Sequence, residues 1–237
     1  MKRTLLVFAK EPVPGAVKTR LQPFLSPLEA AELSHAFLAD LLDRLRGITG
    51  LELWVAIPPE SSAERMALRH EFGVRWVSQG AGDLGERMNR VANFAFQEGA
   101  TGVVLLGSDH PNLPGEMLER CLASLGRGQA AWIRSEDGGY AALALPRPSP
   151  GLFHEISWST DAVAEATQTR AAAAGIELED AGTWYDVDRP QDLLRLERDL
   201  KSDPSCPRTS ALLASLKLEL RKEVILRIRP EAERGHS

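Results

Sequence analysis

The apolar positions of this chain fall into two kinds of run, and the two alternate. Residues 5–9 are apolar without interruption, the pattern of a strand buried on both faces of a sheet. Ser26-Pro27-Leu28-Glu29 then reads as a helix start, with Ser26 at the N-cap, Pro27 at the first helical position and Glu29 closing a capping box. Leu33, Phe37, Leu38, Leu41, Leu42 and Leu45 follow at helical spacing and form one stripe. The pattern next predicts a strand over 51–57 ended by Pro58-Pro59, a helix over 63–72 and a strand over 74–77. A turn at Gly80 to Gly82 leads to a helix over 84–98 and a wholly apolar strand over 103–106. Beyond Pro114 the reading is a helix to 125, strands near 130–133 and 141–145, a helix over 160–174, a short strand over 176–178 and a last core helix over 190–200.

Strands alternating with helices of this length imply βαβ units, hence an α/β class with a mostly parallel sheet covered on both faces. Ligands of such sheets bind beyond the carboxyl ends of the strands, so the informative residues should follow the apolar runs. Residues 202–208, rich in Pro and Ser, read as a linker. Beyond it, Leu212, Leu213, Leu216, Leu218, Leu220, Val224, Ile225, Leu226 and Ile228 give a blurred helical pattern. The expected organisation is one domain over 1–200, then a linker and helical tail over 201–237 that packs on the domain or makes a homodimer contact.

Charge sharpens this division. The net charge is −5, but residues 1–200 hold 20 basic and 28 acidic groups, whereas 201–237 hold 8 and 5. An acidic body argues against nucleic acid as a partner. No apolar run approaches the ~20 residues that span a bilayer. The apolar stretch after Met1-Lys2-Arg3 is cut off at Lys10-Glu11-Pro12, too early for a signal peptide. Cys121 and Cys206 are the only cysteines and offer no metal-ligand spacing; they suit a reducing compartment, and the cytoplasm is expected.

Five segments carry candidate chemistry. The loop after the first strand holds Lys10, Pro14, Gly15, Lys18 and Arg20. Backbone amides near Gly15 and the cations suit phosphate oxygens, although the spacing is neither a Walker A loop nor a dinucleotide fingerprint; a solvated basic turn is the alternative. In Gly107-Ser108-Asp109-His110, Asp109 stands just after a buried strand, where a carboxylate can hold Mg²⁺ or Mn²⁺ on a diphosphate. Asp109 could instead cap a turn, and His110 is expected to shape the loop rather than ligate. Glu136 and Asp137 precede Gly138, Gly139 and Tyr140; the acidic pair can grip an acceptor or sugar hydroxyl or act as a base, or the segment is a plain Asp-Gly turn. Asp186 and Asp188, two apart in an extended segment, point to one side. With position 188 or 189 capping the helix that opens at Pro190, Asp186 is the more available metal partner for Asp109. Trp158-Ser159-Thr160 reads as a pocket-side loop, with Thr160 a candidate helix cap.

Six motifs then stand in order: Val7-Phe8-Ala9-Lys10-Glu11-Pro12-Val13-Pro14-Gly15 with Lys18-Thr19-Arg20-Leu21; Gly82-Asp83-Leu84-Gly85-Glu86-Arg87-Met88; Gly107-Ser108-Asp109; Glu136-Asp137-Gly138-Gly139-Tyr140; Trp158-Ser159-Thr160; and Trp184-Tyr185-Asp186-Val187-Asp188. Together they resemble the bacterial glycosyltransferase-A-like "transferase 1" family associated with radical-SAM/selenodomain proteins. That family is itself similar to 2-phospho-lactate guanylyltransferases and other nucleotide-diphospho-sugar transferases. The likeness spans nearly all of residues 4–200. It implies a Rossmann-like α/β/α sandwich of the nucleotide-diphospho-sugar transferase fold with one divalent metal. It further implies that the loop from Pro14 to Arg20, with Lys10, Asp83 and Ser108, covers the nucleotide phosphates. Asp109 would hold the metal, completed by Asp186 or Asp188. Glu86, Arg87, Gly138, Gly139, Tyr140, Trp158, Ser159 and Thr160 would meet substrate, and Glu136 and Asp137 would do catalytic work. The chain departs from its relatives at His110 and Asn112, at Ala141-Ala142 and at Arg189. The activity implied is metal-dependent transfer from a nucleoside-diphosphate-activated substrate, glycosyl transfer to a small acceptor. Nucleotidyl transfer from a nucleoside triphosphate with pyrophosphate release, hydrolysis of a nucleotide sugar, and non-catalytic nucleotide binding are the alternatives.

Overall fold

Leu5, Leu6 and Val7 are fully buried because their strand lies inside a sheet with helices on both faces. The computed structural model describes residues 2–22, 24–61 and 73–216. Seven strands, β1 (Arg3–Phe8), β2 (Leu51–Ile57), β3 (Arg75–Ser78), β4 (Gly102–Gly107), β5 (Ala130–Ser135), β6 (Tyr140–Leu145) and β7 (Leu178–Trp184), form one sheet in the order β3-β2-β1-β4-β6-β5-β7. Strand β6 alone runs against the rest, antiparallel to both β4 and β5, while the other neighbours pair in parallel. Six helices are described: α1 (Pro27–Arg46), α2 (Leu84–Gln97), α3 (Gly115–Gly126), α4 (Val163–Ala173), α5 (Pro190–Leu200) and α6 (Pro207–Leu216). None among the described residues is long and apolar enough to cross a membrane.

Strand alternation sorts the core into layers. Leu5, Val7, Val104, Leu106, Ala142 and Ala144 face one side, where Leu38, Leu42 and Leu45 of α1 and Leu118 and Leu125 of α3 cover them. Leu6, Val103, Leu105, Leu143 and Leu145 face the other, against Met88, Val91 and Ala95 of α2 and Ala171 of α4. A third cluster lies on the far side of α1, where Leu33 and Phe37 meet Leu193 and Leu196 of α5 and Leu213 and Leu216 of α6. This is the expected α/β/α sandwich.

The capping box at Ser26 and Glu29 forms as read, with each side chain accepting from the other's backbone amide, an arrangement that stabilises the helix by about 1 kcal/mol. Strand 51–57 and helix 190–200 appear with the expected bounds. The third strand is shifted by one residue, to Arg75–Ser78. Helix α4 starts at Val163 with Ala162 at its cap, so Thr160 does not cap it; its hydroxyl donates to the Ser157 carbonyl at 2.7 Å. The short strand over 176–178 is really β7, running to Trp184. Its polar residues hid it: as an edge strand it carries Glu179 and Asp180, on opposite faces, which pair with Arg127 and Arg134. The linker is shorter than expected, because α6 begins at Pro207 and Cys206 is already buried. The helix expected over 63–72 and the apolar pattern beyond 216 lie outside the described residues.

Candidate active site

The carboxyl ends of β1, β4 and β7 lie at one edge of the sheet, and each is followed by a loop carrying charge. After β4, the backbone turns at Ser108-Asp109 and is then pinned. Arg44 of α1 donates to the carbonyls of Pro111 and Leu113, and the Cys206 thiol donates to Pro111 at 3.0 Å. His110 and Asn112, the departures noted above, fasten this loop to the segment after β7. His110 Nδ1 donates to the Tyr185 carbonyl at 3.1 Å, and Asn112 Nδ2 donates to the Tyr185 hydroxyl at 2.8 Å. A main-chain bond joins the same two loops, Val187 N to Asp109 O at 3.1 Å. Asp109 and Asp188 are therefore held side by side by backbone as well as side chains.

Between them sits the amine of Lys18. Its Nζ lies 2.5 Å from Asp109 Oδ1 and 3.0 Å from Asp188 Oδ1, and donates to the Val187 carbonyl at 2.8 Å. Burial alone would lower the Lys18 amine, but the two carboxylates outweigh it and hold the amine above its ordinary value. Asp109 is the mirror case. Desolvation works against its ionisation, and the Lys18 charge and hydrogen bond, with His110 and Lys10 behind them, hold its carboxyl below the usual range. Arg20 approaches Asp188 Oδ2 at 3.7 Å from a position 60% exposed. Lys10, Pro14 and Gly15 lie exposed along the same loop, with Gly15 at φ 85°.

Asp186 does not join this pair. Its carboxylate faces His110 Nε2 at 3.1 Å and accepts from the Ser135 hydroxyl. Burial pushes its pKa up to about 6; His110 and the Ser135 bond oppose that, and nearby Asp137 and Asp188 add to it. The two aspartates thus leave one segment in different directions, and Asp188 is the one that shares a cation with Asp109. The helix cap beside them is Arg189, whose amide, with that of Asp188, donates to the Asp192 carboxylate. Among the described residues, no three Asp, Glu, His or Cys side chains converge on one point. Two carboxylate oxygens do converge, and a cation, the ammonium, stands between them. Carboxylate oxygens are the donors a hard divalent ion takes, so Asp109 and Asp188 are the residues that could hold one in place of the ammonium.

The hairpin from β5 to β6 brings Glu136, Asp137, Gly138 and Gly139 to the same edge. Asp137 Oδ1 accepts from the Gly139 amide at 3.0 Å, the local turn weighed above. Glu136 is gripped bidentately by Arg195 of α5 at 2.6 and 3.0 Å, and that hydrogen bonding holds its carboxyl below the usual range. Arg195 also stacks over the Tyr185 ring at 3.8 Å. A second group of expected residues gathers at the start of α2. Asp83 caps that helix and Glu86 closes the box, while Arg87 donates to the Gly82 carbonyl at 2.8 Å. Trp158 packs on Gly85 so closely that a Cβ there would lie 2.7 Å from its ring. The Tyr140 hydroxyl reaches Met88 Sδ at 3.9 Å. Ser159, at φ 65°, and Thr160 stay exposed in the adjoining loop. Asp83 and Glu86 also border a depression of about 370 Å³ closed by Phe153, His154 and Glu155.

Arg195, Arg44 and Ser135 were not singled out from the sequence. Asp40 was also missed, though its signal was present: a carboxylate inside the apolar stripe of α1. It is fully buried and accepts from the amides of Arg208 and Thr209 at the start of α6.

The crystal structure of a "putative nucleotide-diphospho-sugar transferase" from Desulfovibrio desulfuricans G20 matches with a TM-score of 0.85 at 32% identity, over 93% of this chain and 97% of that one. A cytidylyltransferase from Leptospira borgpetersenii serovar Hardjo-bovis (strain JB197) matches with a TM-score of 0.53 at 15% identity, over 97% and 98% of the two chains. CMP:2-keto-3-deoxy-manno-octonic acid synthetase complexed with CTP matches at 0.51 and 15%, over 85% and 99%. The last two show likeness of fold alone; the Desulfovibrio structure shows it to be the Rossmann-like fold of a nucleotide-diphospho-sugar transferase. No curated protein sequence matches. A family model described as "Uncharacterized protein conserved in bacteria (DUF2064)" matches residues 41–160, and with the Desulfovibrio structure covered nearly end to end, the chain belongs to the DUF2064 family.

Proposed function

We propose that this chain is a divalent-metal-assisted transferase for a nucleoside-diphosphate-activated substrate, and that it transfers a glycosyl group to a small acceptor. The observation that carries this is the pairing of Asp109 and Asp188 around one cation at the strand ends, beneath the cationic loop of Lys10 and Arg20. A site with both signs of charge suits a metal-neutralised diphosphate, whose departure needs electrostatic stabilisation more than a nucleophile. Mg²⁺ or Mn²⁺ held by Asp109 and Asp188 would neutralise the leaving diphosphate. Lys10, Arg20 and the amides around Gly15 would bind its oxygens, and the Asp137 carboxylate would orient an acceptor hydroxyl. The Asp83–Arg87 turn, Tyr140 and the loop of Trp158, Ser159 and Thr160 would border the nucleotide or acceptor. The narrower kinship to the radical-SAM-associated "transferase 1" proteins, the division of the chain at residue 200 and a cytoplasmic location belong to the same proposal.

One observation keeps nucleotidyl transfer as a second reading. Glu136 is occupied by Arg195, which leaves Asp137 of the acidic pair, with its Oδ1 already accepting from the Gly139 amide, to meet a sugar hydroxyl. The readings separate by product: purified protein with Mn²⁺, nucleotide sugars and candidate small acceptors should release nucleoside diphosphate together with a glycosylated acceptor, release without that product marks hydrolysis, and pyrophosphate from nucleoside triphosphates selects nucleotidyl transfer. Asp109→Asn should cut the rate by about a hundredfold or more. Product formation at the wild-type rate in that variant would refute the site.

A further inference from the structure

The loop after β1 presents its cations unequally. Lys10 and Arg20 are exposed, but the Lys18 side chain is 4% exposed and turned inward. An ammonium has three donors, and all three of these are engaged, by Asp109 Oδ1, Asp188 Oδ1 and the Val187 carbonyl. The backbone at Lys18 is left-handed, with φ at 48°, a conformation that a side chain with a Cβ seldom adopts. Its Nζ also lies 5.5 Å from the Phe37 ring centroid, a favourable distance for a cation. A hard divalent ion takes carboxylate oxygens at about 2.0–2.6 Å. Nζ stands 2.5 Å from Asp109 Oδ1, so it fills the volume such an ion needs.

We propose that Lys18 is a resident counter-cation, and that its ammonium and a divalent ion occupy the Asp109–Asp188 pair only by exchange. The inference rests on the metal site of the proposed function and adds what guards it. Arg20 does not substitute for the ammonium, since it reaches Asp188 Oδ2 only at 3.7 Å, and Asp186 adds no third carboxylate to the pair, being committed to His110 and Ser135. With Lys18 in place the pair is half-neutralised; without it, Asp109 loses its ion pair and Asp188 keeps the Arg20 contact at 3.7 Å.

Mn²⁺ alone, titrated into nucleotide-free protein and followed by electron paramagnetic resonance of the free ion, tests this. Lys18→Met should bind Mn²⁺ about tenfold tighter than wild type, because a like charge has left the site. Lys18→Arg, which keeps the charge, should gain nothing. Equal affinity in wild type and Lys18→Met, or an equal gain in Lys18→Arg, overturns the proposal. A second measurement uses only the wild-type chain, in case Lys18→Met fails to fold. Amine acetylation mapped by peptide mass spectrometry should show Lys18 protected without metal and labelled severalfold more as Mn²⁺ rises into the millimolar range, relative to Lys10. A flat Lys18 profile overturns the exchange. Neither measurement contains nucleotide, so transfer activity in the presence of a flat profile defeats the exchange alone, and exchange without nucleotide turnover defeats the transferase reading alone.

Discussion

At Gly138 there is no room for even a methyl group. Its φ is 91°, and a Cβ would lie 2.0 Å from the Asp161 carbonyl oxygen. Backbone strain and overpacking together should make Gly138→Ala less stable by about 2–4 kcal/mol, read as a lower urea midpoint. The paired glycines were legible as a turn; the reason for Gly138 was not, since the clash comes from a loop distant in sequence. Chemistry at the cysteines is similarly set by surroundings. Burial pushes the Cys121 thiol up to about 12 and raises Cys206 as well. The thiolate is the reactive form, so at pH 8 the Cys121 thiol stays protonated. A disulfide reagent should titrate no fast thiol in the native protein at that pH and two after unfolding. His110, read as a loop-shaping residue, does shape the loop: its two nitrogens tie the Asp109 turn to Tyr185 and Asp186.

Among elements, the start of α6 is held by a carboxylate from another helix. Asp40 accepts from the Arg208 and Thr209 amides, serving as an N-cap supplied from across the cluster. Asp40→Ala should cost about 1–2 kcal/mol and speed amide hydrogen exchange over 207–216 while leaving the central strands protected. Unchanged exchange in α6 would contradict this role. Arg195 is a different case. Its pairing with Glu136 is exposed, 36% and 50% at the two side chains, so Arg195→Met should change stability by less than about 1 kcal/mol. The Glu136 carboxyl, now held low chiefly by the Arg195 hydrogen bond, should rise toward its ordinary value, as a carboxyl NMR titration would show. Helix starts with caps and apolar strands were legible because local chemistry specifies them. Strand β7 was not, because an edge strand with Glu179 and Asp180 lacks the apolar run that marks a central one. The split between Asp186 and Asp188 was equally hidden: spacing placed them together, and partners from β5 and the β1 loop drew them apart.

For the molecule as a whole, a boundary at residue 200 would separate chemistry from packing only incompletely. The candidate site residues all precede it, yet Cys206, Leu213 and Leu216 complete the third core cluster. Burying two leucines stabilises by about 3–6 kcal/mol, a large share of a typical domain's margin. A chain ended after residue 200 should therefore melt well below the full chain in a calorimetric scan; an unchanged midpoint would show that α6 contributes nothing. The net charge concealed a site that uses both signs, because acidic and basic groups cancel in a sum but not at a strand edge. Strand order carries one more consequence, which concerns time. Strands β1 to β4 are contiguous neighbours and can pair once residue 107 has been synthesised, while β5, β6 and β7 add a second group through the β4–β6 ladder. Asp109 belongs to the early group and Asp188 follows the last strand, so the pair straddles the seam. Distant pairings form late, since closing long loops is entropically slow. Lys18 therefore gains its second carboxylate only after residue 188 has been made and β7 has joined the sheet, so the pair cannot assemble before that point.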